Sequence, residues 1–211
     1  MKNTKLSKNK LYTLIALVVL LAVLAFLEVN SAEYSYQISI LERSAIYAVV
    51  AVSMNLLTGF TGLFSLGQAG FMAIGAYIVA IFTIPVEMRD SVYYVSGISP
   101  VIANISLPIP VAILAGGLAA APVAALIGIP VLRLKSDYLA IATLGFSEII
   151  RAFIAAPMFD TITNGSYGLN NIPGFPGIIS VFALAALCIG LMLLLINSSY
   201  GRAFKAIRED E

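Results

Sequence analysis

Two opposite charges, Glu148 and Arg151, stand inside an otherwise apolar stretch of this 211-residue chain. Their three-residue spacing puts them on one side of a helix, where they can form an ion pair. Facing lipid at the centre of a bilayer, each would cost about 2.5–3.5 kcal/mol, so the pair is expected to point into a helix bundle. There it serves either as a structural bond holding helices in register or as a station along a transport path. Asn55, Ser65, Gln68 and Thr143 are uncharged polar groups at comparable depth. Interhelical hydrogen bonding accounts for them, with a place on a pathway as the alternative. A third constellation closes the chain. Arg202, Lys205 and Arg208 recur every third residue, beside a small apolar stripe of Ala203, Ala206 and Ile207. On a helix this is either a basic anchor at a membrane face or a short amphipathic segment suited to a partner's groove.

The residue types present exclude most enzyme chemistry. Histidine is absent, which removes the commonest general base, and no acidic cluster suggests metal-assisted hydrolysis. The single cysteine, Cys188, rules out an internal disulfide framework and a Cys/His metal site. No Gly-x-x-x-x-Gly-Lys-Ser/Thr loop is present, so nucleotide cannot be bound in that way. No cofactor is expected. The 12 basic and 11 acidic residues nearly cancel and offer no argument for nucleic acid.

The elements that must carry these groups follow from where charge is missing. Hydrophobic residues make up 60% of the chain and charged ones only 11%, against about a quarter charged in soluble domains. No charge occurs from Ser44 to Val86, from Ser91 to Leu132, or from Thr161 to Gly201. A spanning helix needs about 20 apolar residues. The expected architecture is therefore all-α, a polytopic transmembrane bundle of about six spans. These are Leu11 to Leu27, Ser44 to Phe60, Ala69 to Ile84, Val111 to Leu132, Tyr138 to Ala156 and Ile178 to Ile196. The first could be a signal peptide. Its apolar core exceeds the usual ~7–15 residues, which favours an uncleaved span.

Basic residues set the orientation. With the N-terminus in the cytoplasm, that side receives nine: four early lysines, Arg133, Lys135, Arg202, Lys205 and Arg208. The other side receives Arg43 and Arg89. Both termini are then cytoplasmic. In the fourth span, Gly116, Ala120, Ala124 and Gly128 form a small-residue ridge for close helix packing, and Pro122 should kink the helix. The glycines from Gly59 to Gly75 fit a broken helix lining a pathway, or a tight hairpin at the cytoplasmic face.

Taken together, three blocks and the closing segment resemble bacterial branched-chain amino acid permeases (LivM-like). They are Asn55–Gly62 with Ser65–Phe71 and Gly75-Ala76-Tyr77; Leu132–Phe146 with Glu148-Ile149-Ile150-Arg151; Thr163–Leu169 with Ile172-Pro173; and Tyr200–Glu211. The resemblance implies the membrane subunit of an ATP-binding-cassette importer in a bacterial cell membrane. Its partners would be a second, homologous permease subunit, two ATP-binding subunits and an extracytoplasmic substrate-binding protein. It implies further that Gly201, Arg202, Ala203, Lys205, Ala206, Ile207, Arg208 and Glu209 form a coupling helix on the ATPase. Relatives continue with further spans, so the chain is expected to be truncated at Glu211. Residues 1–211 then form one permease domain, with a basic tail over 1–10, spans over 11–197 and the coupling segment over 198–211. Branched-chain amino acids are the expected substrate. Urea, short amides or nucleosides are alternatives within the same architecture. Outside it stand a self-contained carrier or channel coupled through Glu148, and an inactive truncated remnant.

Overall fold

A computed structural model describes residues 8–209, and every regular element among them is helical. Lys2 and Lys5 of the expected basic tail, like Asp210 and Glu211, lie outside the described residues. The long helices are α1 (Lys8–Val29), α2 (Ser35–Asn55), α3 (Gln68–Thr83), α5 (Ile109–Val131), α6 (Ser136–Ile154) and α8 (Ile178–Ile196). Three shorter ones, α4 (Arg89–Val92), α7 (Asp160–Thr163) and α9 (Ser199–Glu209), complete the set. Among the described residues, four stretches are long and apolar enough to cross a membrane. The count rises to six if α3 with the Val86–Val92 segment and α6 with the Pro157–Thr163 segment are each one bent span. The bends are 99° and 56°, and Pro85 and Pro157 stand at them. Proline lacks the N–H that would continue the helix and pushes its predecessor out of helical geometry.

Many leucines of these helices face outward. Leu14, Leu17 and Leu21 of α1, Leu114, Leu118 and Leu126 of α5, and Leu187, Leu191 and Leu194 of α8 are all exposed. Apolar surface on that scale is compatible with lipid and not with water. The chain is a multi-pass α-helical membrane protein.

The second helix differs from expectation: it starts at Ser35, not Ser44, and includes Glu42 and Arg43. No glycine or proline occurs between Ser31 and Thr58 to stop it, and of the two charges Glu42 is half-buried and Arg43 exposed. Absence of charge marks the apolar part of a helix, and not its ends.

Two compact units emerge. One comprises residues up to Val52 together with Phe175–Leu194. Its core joins Leu24, Leu27 and Ile178, with Tyr34, Ile38, Leu41 and Phe182 around them. Ala45, Val181 and Ala185 form a second cluster. The Glu28 carboxylate accepts a 3.3 Å hydrogen bond from the Ile179 N–H at the start of α8. An anion is favoured there because the first amides of a helix lack internal partners. Gly177, at φ +92°, leaves room for it, since a Cβ at that position would lie 1.8 Å from Glu28 Oε1.

The other unit comprises Ser53–Gly174 and Leu195–Glu211. Here α3 packs on both α5 and α6. Gly116 of α5 sits against the α3 backbone: a Cβ there would be 3.0 Å from the Gly75 carbonyl oxygen and 3.4 Å from its Cα. On the α6 side, a Cβ at Gly70 would meet Ile150 Cδ1 at 2.9 Å and Ser147 Cα at 3.0 Å. The expected ridge is therefore a packing face at Gly116, while Gly128 at its far end meets only Leu132, at 4.0 Å. Through Pro122 and Pro130, α5 continues as one helix.

Candidate functional site

Between α2 and α3 the helix comes apart. It widens into a π-helical turn at Leu56–Phe60 and then runs irregularly until Gln68. Backbone groups in such a segment must find partners inside the protein, because lipid offers none. Here α6 supplies them. The Leu66 N–H donates to Thr143 Oγ1 at 2.9 Å, and Ser147 Oγ donates to the Leu66 carbonyl at 3.2 Å. Thr143 is 9% exposed and Ser147 7%. The two hydroxyls are one helical turn apart, so both reach the same residue. The break is thus clamped at Leu66.

Other polar residues singled out in the sequence take lesser parts in the same region. Gln68 Nε2 donates to Ser53 Oγ, across the break. Ser65 Oγ accepts from the Gly67 N–H at 3.3 Å. Asn55 is exposed, with its carboxamide folded over Gly59, where an added Cβ would lie 2.2 Å from Asn55 Oδ1. Ser147, the second half of the clamp, was not anticipated. Its signal is the four-residue spacing from Thr143 on a helix facing a glycine-rich segment.

At the other end of the break, α9 rests against the π-helical turn. Arg208 Nη1 donates to the Gly59 carbonyl at 2.8 Å, and Lys205 Nζ stands 5.7 Å from the Phe60 ring centre. The last carbonyls of a helix lack internal N–H donors and carry its negative dipole end, so cations are favoured here. Arg202 turns instead to Ser199 Oγ, 2.9 Å away. Gly201, in the first turn of α9, lets that helix lie close to the end of α8, since a Cβ there would fall 1.8 Å from the Ile196 carbonyl oxygen. Ala203, Ala206 and Ile207 remain exposed, together with Tyr200. Glu209 ends α9, with its side chain outside the described residues.

Glu148 and Arg151 do pair, at 2.8 Å. They do not point inward, however: Arg151 is 77% and Glu148 58% exposed. This corrects the expectation of a buried pair. The inward face of α6 is already taken by Leu139, Thr143 and Ser147. The pair lies about a third of a turn away from that face, at 100° per residue.

The largest departure is Arg89. The sequence places it in a polar linker between Glu87 and Asp90, yet it is 2% exposed. Nε donates to the Ile84 carbonyl at 3.2 Å, Nη1 to Ile102 and, at 2.9 Å, to Ala103, and Nη2 to Ile81 at 3.3 Å and Ile105 at 2.5 Å. One guanidinium thus ties the C-terminal carbonyls of α3 to the 102–105 turn. The Leu107 N–H donates to the Phe82 carbonyl at 2.8 Å and fastens the same turn. Tyr93 joins in: its hydroxyl donates to the Ile162 carbonyl at 2.7 Å, and its ring packs with Ile84 and Val92. Burial pushes the Tyr93 phenol above its usual pKa, and nearby Arg89 opposes that rise. Asn164, at φ +58°, donates from Nδ2 to the Gly168 carbonyl at 2.6 Å and shapes the adjoining glycine-rich loop. The clue in the sequence is the position of Arg89, four residues past the proline that ends α3.

Comparison with known proteins assigns this arrangement to a family. Residues 36–211 match the family model described as "Branched-chain amino acid transport system / permease component". The high-affinity branched-chain amino acid transport system permease protein LivM of Escherichia coli (strain K12) is 33% identical, over 97% of this chain and 50% of that one. Its counterpart from Salmonella typhimurium is 32% identical, over 82% of this chain and 44% of that one. The probable branched-chain amino acid transport permease protein LivM of Methanocaldococcus jannaschii is 29% identical, over 79% and 54%. No solved structure matches. The chain spans about half the length of the curated relatives it matches. Over that span, it belongs to the family of branched-chain amino acid transport permease components.

Proposed function

We propose that this chain acts as the membrane-spanning subunit of an ATP-binding-cassette importer for branched-chain amino acids, in the inner membrane of a bacterial cell. A homologous permease subunit completes the pathway, two separate subunits hydrolyse ATP, and an extracytoplasmic binding protein delivers the substrate. The match of residues 36–211 to the family model carries this reading. The chain's own geometry supports its division of labour. Side chains clamping a broken helix suit a conducting subunit, and α9 is exposed along most of its length, Tyr200, Ala203 and Ile207 included, with only Gly201 buried and Phe204 half-buried. That edge is the docking surface for the ATP-binding subunit. Basic residues support a cytoplasmic position for it, since Arg133 and Lys135 in the α5–α6 turn lie on the same expected side.

The test is uptake of labelled leucine, isoleucine and valine by liposomes holding this chain with its partner subunits. Uptake should require ATP inside and binding protein outside. Ala203→Asp with Ile207→Asp should abolish co-purification of the ATP-binding subunits. Uptake driven by an ion gradient without ATP would refute the proposal.

A further inference from the structure

We infer that Arg208 and Lys205 couple α9 to the broken helix, so that displacement of α9 is transmitted through the Gly59–Gly67 segment to α6. The inference rests on the reading of α9 as the coupling segment and names the residues through which it touches the broken helix. Arg208 holds the Gly59 carbonyl at 2.8 Å, and its Cγ lies 3.2 Å from where a Cβ of Gly62 would be. Gly62 has φ +75°, a conformation that other residues adopt only with strain. The arginine stem therefore lies along bare backbone, and its head caps the end of the π-helical turn. Lys205 adds a contact with the Phe60 ring at 5.7 Å. Both cations act at the negative end of one helix, where a charge-assisted bond is strongest.

The far end of the break is held as firmly. Leu66 is bonded through both its N–H and its carbonyl to Thr143 and Ser147 of α6. Between these two anchors, Thr61–Gly67 has no helical ladder of its own and contains Gly62 at positive φ. A segment fixed at both ends and irregular between them transmits displacement as a hinge, taking up the change in a few backbone angles. Helix α6, at its far anchor, also carries the Glu148–Arg151 pair. A shift of α9 is thereby delivered to the helix that carries this exposed pair.

The experiment uses the assembled transporter in liposomes and reads three quantities: retention of ATP-binding subunits, ATP hydrolysis, and amino acid taken up per ATP. Arg208→Gln should retain the subunits and hydrolyse ATP, while uptake per ATP falls roughly tenfold, as expected when one charge-assisted hydrogen bond is lost from one of two interconverting states. Gly62→Val lies in the break itself and should give the same uncoupled phenotype. In an Arg208→Gln, Cys188→Ser background, a short bis-maleimide joining cysteines placed by Phe60→Cys and Lys205→Cys should restore coupling, because a tether replaces the lost bond. Loss of the ATP-binding subunits from Arg208→Gln would overturn the inference, since Arg208 would then belong to the ATPase contact. Unchanged uptake per ATP in either single variant, or a tether that restores nothing, would overturn it too. None of these outcomes depends on whether Ala203→Asp with Ile207→Asp abolishes docking, so the two readings fail separately.

Discussion

Replacing Arg89 by methionine removes five hydrogen bonds from one buried point while keeping an unbranched apolar stem. The carbonyls of Ile81, Ile84, Ile102, Ala103 and Ile105 would all lose a charged donor. At about 1.5–3 kcal/mol each, the gross loss is roughly 7–15 kcal/mol. Against it stands the relief of no longer desolvating a guanidinium that is 2% exposed, worth several kcal/mol. Water reaching some of the freed carbonyls reduces the loss further, and a net local cost of about 3–4 kcal/mol remains. The most direct assay is amide hydrogen exchange in lipid nanodiscs, followed at Ala103 and Leu107. Their N–H groups bond to Ser99 and Phe82 within the same cap. At about 1.4 kcal/mol per decade, exchange there should quicken roughly 10²- to 10³-fold, while amides of α1 stay unchanged. Arg89→Lys, with a compact three-donor head, should fall between. Exchange at Ala103 and Leu107 within a factor of about two of wild type would refute this account, because that amounts to less than one hydrogen bond.

Four further outcomes are expected. Thr143→Val keeps the shape but leaves the Leu66 N–H without its acceptor, costing about 1–3 kcal/mol and raising proteolysis within 61–67. Gly116→Ala should weaken the α3–α5 contact by about 1–3 kcal/mol in thermal unfolding, whereas Gly75→Ala, with nothing within 4 Å of its Cβ, should be neutral or better. Glu148→Gln leaves Arg151 charged and unpaired, and should lower the yield of assembled, transport-competent protein, with partial recovery on adding Arg151→Gln. The raised Tyr93 pKa means that the folded state holds the phenolic proton more tightly than the unfolded one. That contribution is complete below the unfolded value of 10.0 and is lost as pH rises through the folded value, so unfolding followed from neutral to alkaline pH should show the loss only there, and Tyr93→Phe should remove it.

Much of the helical framework was legible because long uncharged stretches leave a chain few alternatives. Leu11 to Leu27 and Ile178 to Ile196 sit inside α1 and α8. Helix ends were less legible: Glu42 and Arg43 read as the edge of a span, yet α2 carries them on its surface. Thr143 was recognisable as a buried polar group, but not as half of a clamp. The missing information was that Leu66, 77 residues away, has a backbone N–H and a carbonyl that both need partners. For Glu148 and Arg151, spacing revealed the pair and could not reveal its direction, because helix periodicity fixes the face and not what lies opposite. Arg89 was hidden by its neighbours, since Glu87 and Asp90 are exposed and give the linker a solvated look.

The outward leucines have a thermodynamic corollary. Their transfer from water is complete once each helix is inserted, so separating the helices within a bilayer wets little additional apolar surface. Heat capacity of unfolding comes from hydrating such surface, and for this chain it should be small. Stability then varies almost linearly with temperature, without the dome seen in water-soluble domains. Cooling should not loosen the bundle, because the force that fades in the cold has already been spent on insertion.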